Sequence, residues 1–156
     1  MEFKKLVLTT DLSPNAGSAS DHAVSIAKKF GSTIYLVHVF ECDIYYAAGT
    51  MEATSMKEPK EFFRQARDMR KKTLKEAART ISAATGLPVN DVFLEGNAAQ
   101  EVVGFAKREK ADCIVISTHG RSGLSHLLFG SVAEKVVRLS DCPVLSVRPK
   151  PSDLKA

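Results

Sequence analysis

Chemistry is concentrated in one stretch, Ser117-Thr118-His119-Gly120-Arg121-Ser122-Gly123-Leu124-Ser125-His126-Leu127-Leu128-Phe129-Gly130-Ser131. It follows the apolar run Cys113-Ile114-Val115-Ile116, which reads as a buried strand of a parallel sheet. Behind it, Val132 to Leu139 carries apolar residues at helical spacing. The stretch therefore joins the carboxyl end of a strand to the amino end of a helix. Its Gly and Ser residues let the backbone turn sharply and approach a ligand closely. Gly130 and Ser131 fall where a helix exposes unpaired N–H groups and the positive end of its dipole, a place suited to an anion such as phosphate.

The turn needs a scaffold. Leu6 to Thr10 reads as a first strand, and Asp11-Leu12-Ser13-Pro14 as a turn with Ser13 as N-cap and Pro14 at the first helical position. Ala19, Ala23, Ile26, Ala27 and Phe30 share one side of the helix that follows, and Gly31 ends it. Thr33 to Phe40 is a β-branched strand. Residues 41 to 57 show no clean period and read as a loop or short irregular helix. Pro59 to Thr85 is strongly helical, with an apolar stripe placed on Phe62, Ala66, Met69, Thr73, Ala77, Ile81 and Ala84. Arg67, Arg70, Lys71, Lys72 and Lys75 lie off that stripe and read as a solvated face. Gly86 and Pro88 stop the helix.

Val89 to Leu94 is a third strand. The turn Glu95-Gly96-Asn97 caps a helix bearing Val102, Val103, Phe105 and Ala106. After the fourth strand and the Ser131 helix, Asp141-Cys142-Pro143 breaks the chain and Val144 to Val147 forms the last strand. Residues 1–149 make one domain, and 150–156 a polar tail.

Alternation of this kind implies an α/β fold with a parallel sheet and helices on both faces. A five-stranded doubly wound sheet of order 3-2-1-4-5 reverses direction between the first and fourth strands. Ligands bind at the carboxyl ends flanking such a switch. Thr9-Thr10-Asp11 and Ser117 to Gly120 end there.

Bulk properties narrow the function. With 44% hydrophobic and 26% charged residues the chain is expected to be soluble and globular. The net charge of +4 is mild and spread out, and does not point to nucleic acid. No run approaches the ~20 apolar residues that cross a bilayer, and the first apolar run is too short for a signal peptide. Cys42, Cys113 and Cys142 are odd in number and far apart, as in a reduced cytosolic protein without a disulfide framework or cysteine metal site. A P-loop is absent, and the first strand-to-helix turn lacks the dinucleotide fingerprint.

Individual residues carry a plain reading beside the functional one. Asp11 serves a ligand or only caps its own turn. His119 meets a phosphate or braces the loop. Arg121 reaches phosphate or lies in solvent. His38, inside an apolar strand, reads as a satisfied core histidine. His22 and His126 suggest no partner.

Four separated segments are similar to the universal stress protein family. The family signature is Gly-x-x-Gly, nine residues, then Gly-Ser/Thr. Gly120, nine residues and Gly130-Ser131 match it, while Ser117 stands at the first glycine. Leu6 to Ser13, Val37-His38-Val39 and Cys142 to Val147 also resemble the family. The resemblance implies its ATP-binding branch, with ATP or AMP as ligand, and Mg or Mn reaching the phosphates without protein side-chain ligands. It implies that Thr9, Thr10 and Asp11 lie at the ribose or adenine and that Val39 meets the adenine through its backbone. Ile116 and Ser117 would line the ribose-phosphate turn. His119 would stand beside the phosphates, which Gly120, Arg121, Gly130, Ser131 and Val132 would hold. It also implies a cytoplasmic homodimer joined through Pro143 to Val147, an apolar run on a sheet edge. No nucleophile–base pair favours efficient hydrolysis, so the role expected is a nucleotide-dependent switch in stress tolerance with at most slow ATPase activity. Two alternatives stand beside it. One is a nucleotide-free dimeric scaffold. The other is a phosphate-transferring enzyme with His119 or Asp11 as base.

Overall fold

The computed structural model describes residues 2–13, 17–41, 59–118 and 130–148. The elements are β1 (Lys5–Thr9), α1 (Gly17–Phe30), β2 (Thr33–Phe40), α2 (Pro59–Thr85), β3 (Val89–Glu95), α3 (Ala98–Glu109), β4 (Cys113–Ser117), α4 (Ser131–Leu139) and β5 (Val144–Val147). The expected order holds: five strands run parallel as β3-β2-β1-β4-β5.

β1 is the axis of the sheet. Leu6, Val7 and Leu8 face Ile34, Tyr35 and Leu36 on one side and Cys113, Ile114 and Val115 on the other. Their side chains alternate between two cores, as strand geometry requires. Leu6 and Leu8 pack with Ala19, Ala23 and Ala27 of α1 and Leu74 and Ala78 of α2. Val7 packs with Val102, Phe105 and Ala106 of α3 and Ala133 and Val136 of α4. The small alanines of α1 let that helix approach the sheet closely.

Local signals set most boundaries. Gly31 and Gly86 adopt φ of +66° and +70°, where a side chain would be strained. Asn97 caps α3 by accepting from the Gln100 amide at 3.3 Å. Glu41, at the end of β2, adds a long-range cap by accepting from the Ala98 amide at 2.8 Å. The Asp112 carboxylate accepts from the amides of Lys4 and Lys5, both at 2.8 Å, and so ties the entry of β4 to that of β1. The expected Pro14 start of α1, most of the 41–57 segment and the 150–156 tail lie outside the described residues.

The apolar stripe of α2 departs from expectation. Met69 is 69% exposed, Phe62 and Thr73 are exposed, and the buried residues are Phe63, Leu74 and Ala78, with Ala77 and Ile81 half-buried. The helix is rotated by about one residue from the expected stripe. Two neighbouring faces both carry apolar residues every three or four positions, and periodicity alone does not choose between them. The rotation also overturns part of the solvated basic face. Arg67 and Arg70 are half-buried, Arg67 Nη1 lies 3.5 Å from Glu95 Oε1, and the Lys71 ammonium sits 5.0 Å above the Phe93 ring.

Two outcomes test this packing. Leu74→Ala is expected to destabilise the chain by about 2–5 kcal/mol in denaturant titration, and Met69→Ala by less than about 0.5 kcal/mol. Equal losses would put the stripe back on Met69. Burial pushes the Cys113 thiol up from its usual range, with a smaller opposing contribution from a backbone hydrogen bond at Leu145. Because the thiolate is the nucleophile, Cys113 should resist alkylation in the native protein near neutral pH and react on unfolding. Rapid native labelling would contradict its place in the core.

Candidate functional site

The site forms where β1 and β4, neighbours in the sheet, run out at the same edge. Connections leave this pair in opposite directions, through α1 to β2 and through α4 to β5. The crevice between them is the switch point of a doubly wound sheet.

On the β1 side the chain leaves the sheet through a tight turn. The Thr10 amide still bonds the Val37 carbonyl at 2.9 Å, and the Thr10 carbonyl accepts from His38 Nδ1 at 2.8 Å. Thr10 Oγ1 accepts from the Leu12 amide at 3.0 Å, and Leu12 adopts φ +61°. Asp11 Oδ1 accepts from both the amide (3.0 Å) and the hydroxyl (2.6 Å) of Ser13. This is an Asx turn, so the plain reading of Asp11 accounts for one of its oxygens. The other, Oδ2, is buried and has no hydrogen-bond partner among the described residues. A buried carboxylate oxygen left in that state is costly, and a ligand hydroxyl or amino group would satisfy it.

On the β4 side, Ser117 is paired with Val147 as the last residue of the strand. Its backbone is extended, because the described non-glycine residues with positive φ are Leu12 and Lys110. Serine at the first glycine of the signature therefore meets no backbone strain. Thr118, 5% exposed, donates its amide to the Val147 carbonyl and accepts from the Gly130 amide, both at 2.8 Å. That second bond clamps the start of α4 onto the end of β4. A Cβ on Gly130 would sit 3.1 Å from the Thr118 carbonyl oxygen, so the clamp is closed tightly enough to favour glycine. Gly130 has no side chain to cap α4, and its carbonyl accepts from Glu134 at 3.0 Å. The amides of Ser131 and Val132 thus open the helix without a helical acceptor, at the positive end of its dipole.

Thr9, Thr10, Asp11, Ile116, Ser117, Gly130, Ser131 and Val132 all lie along this edge. Val39 and Val132 are half-buried against the same α3–α4 core. His119, Gly120 and Arg121 lie outside the described residues. Two contributors were not among the residues expected from sequence. Thr118 holds the helix start through its backbone, which no side-chain pattern announces. His38 reads as a core histidine and is indeed 5% exposed, yet its ring nitrogen bonds the site turn. His22, for which no partner was expected, turns its Nδ1 to the Ser18 carbonyl at 2.8 Å.

A cavity of about 290 Å³ borders the same turn at Thr9, Thr10 and Ser13 and reaches residues of α1 and α2. Its remaining lining is mostly apolar, with Leu8, Leu12, Leu36, Ala77 and Ile81. Among the described residues no three His, Cys, Asp or Glu side chains are grouped to hold a metal ion, and no helix is long and apolar enough to cross a membrane.

The chain is similar to known proteins over nearly its whole length. It is 36% identical to universal stress protein MJ0531 of Methanocaldococcus jannaschii over 94% of its length and 82% of that protein's. The solved structure of MJ0577, from the same organism, superposes with a TM-score of 0.77 at 26% identity, covering 96% of this chain and 99% of that one. The universal stress protein of Archaeoglobus fulgidus, solved in complex with dAMP, matches with a TM-score of 0.63 at 23% identity over 94% and 98% of the two chains. The model of the Universal stress protein family matches residues 2–148. The chain belongs to the universal stress protein family.

Proposed function

We propose that this protein binds ATP or AMP in the crevice between β1 and β4 and acts as a nucleotide-dependent switch in stress tolerance. The observation that carries the reading is the juxtaposition of two incomplete groups at one sheet edge. Asp11 Oδ2 is a buried acceptor lacking a described partner, and α4 opens with amides that no side chain caps. A nucleotide has complementary groups: ribose hydroxyls or the adenine amino group to donate to Asp11, and phosphate oxygens to accept from the helix start. The dAMP complex of the Archaeoglobus fulgidus relative supports the same ligand class.

In this reading Thr9, Thr10 and Asp11 flank the ribose and adenine, and the Val39 backbone meets the base. Ile116 and Ser117 line the connecting turn. Ser131 and Val132 hold phosphate through their amides; the Gly130 amide, expected to do the same, is taken by the Thr118 carbonyl, so Gly130 places the helix start instead, with His119, Gly120 and Arg121 completing that end. Mg or Mn would ride on the phosphates and add to their charge neutralisation. Hydrolysis, where it occurs, is slow. β5 pairs with β4 on one side and stands at the edge of the sheet. Its Pro143 to Val147 segment joins two copies into a homodimer, and residues 1–149 form the folded unit, in the cytoplasm.

Isothermal titration with ATP and AMP tests the reading. Saturable one-site binding is expected. Gly130→Ala, whose Cβ would crowd the Thr118 carbonyl oxygen at 3.1 Å, should weaken it about tenfold. Asp11→Asn, which keeps one carbonyl oxygen for Ser13, should cost about 1–2 kcal/mol. No heat with either nucleotide, and no small molecule released on denaturing the purified protein, would leave a scaffold without nucleotide. Rapid turnover abolished by His119→Ala would instead make it an enzyme.

A further inference from the structure

We propose that His38 is a positioning residue of the crevice, holding the Thr10–Ser13 turn so that Asp11 keeps its place; the inference rests on the nucleotide reading. β1 and β2 are paired up to Thr9 opposite Val37. Beyond that point β1 leaves the sheet through the left-handed Leu12. Thr10 is nevertheless gripped at both ends of its backbone by consecutive residues of β2. Its amide donates to the Val37 carbonyl at 2.9 Å and its carbonyl accepts from the His38 ring at 2.8 Å. A side chain thus continues the ladder where the strand has ended.

The bond defines the ring. A carbonyl oxygen only accepts, so His38 Nδ1 carries the proton. The ring is 5% exposed and packs at 5.8 Å, tilted by 50°, against Phe93, whose own ring lies under the Lys71 ammonium. A half-turn about the Cβ–Cγ bond would keep that packing but put a C–H against the Thr10 carbonyl, so the hydrogen bond itself fixes which edge of the ring faces the turn. The tightly held Thr10 carbonyl then anchors a chain of local bonds, from Thr10 Oγ1 to the Leu12 amide and from Asp11 Oδ1 to Ser13. Each leaves Asp11 Oδ2 less freedom. A core histidine with a purely space-filling role would need no particular nitrogen at this point.

The conservative replacement distinguishes bonding from packing. Asparagine carries an amide nitrogen at the same distance along the side chain as Nδ1, and glutamine carries it one bond further, like Nε2. In the wild type, nitrogen NMR of the labelled imidazole should show the Nδ1-protonated form near neutral pH. Hydrogen exchange of the Leu12 and Ser13 amides, measured without ligand, should be preserved in His38→Asn and about tenfold faster in His38→Gln and His38→Leu. ATP affinity should follow the same order, within about twofold for Asn and roughly tenfold weaker for the others, the weight of one partly buried hydrogen bond. The proposal is overturned by an Nε2-protonated ring, by His38→Asn behaving like His38→Leu, or by exchange that changes while affinity does not. If the wild type binds neither ATP nor AMP, the nucleotide reading fails by itself. The ring's protonation and the ligand-free exchange order then sustain or refute the His38 clamp. Should His38→Leu fail to fold, the wild-type spectrum and the Asn–Gln contrast decide it.

Discussion

Everything at the functional edge depends on β1 being bonded on both sides. Leu6, Val7 and Leu8 are almost completely buried and divide their side chains between two cores. A parallel strand in that position has no freedom to slide, because a one-residue slip would exchange its two faces. Its end is therefore a fixed point. Thr10 inherits that rigidity through Val37 and His38, and β4 presents Thr118 at the same edge. Stability and site geometry thus share one cause.

The site itself is built largely from backbone. Amides opening a helix, a carbonyl clamping its first residue and a turn closed by an Asx bond need small or short side chains more than reactive ones. Donors of this kind are held in place by the fold itself. Fixed donors lose little entropy on binding.

The two faces of the sheet are covered differently. α3 and α4 meet it through Val, Phe and Ala side chains and carry the helix start that opens the crevice. α1 and α2 cover the other face, and α2 reaches past the core with half-buried Arg67 tied to the edge strand β3 through Glu95. His38 and Phe93 form the link between this second layer and the Thr10 turn. Packing far from the crevice is in this way mechanically joined to it.

Much was legible in the chain alone. Alternating β-branched runs and amphipathic helices, punctuated by Gly31, Gly86 and Asn97, determined the element order, because those signals are local and act through backbone conformation. The sheet order and the crevice followed, since right-handed crossovers leave few alternatives. Asp11 and Gly130-Ser131 were visible for the same reason: turn and cap chemistry is written in residue type. The rotation of α2 was not visible, because Phe62 and Met69 compete with Phe63 and Leu74 at the same period, and only contact with β2 and β3 decides which set is buried. Nor were the bonds of Thr118 and His38, which join residues brought together by the sheet alone. What the tertiary structure decided is which polar atoms meet across the strands and which, like Asp11 Oδ2, have no described partner.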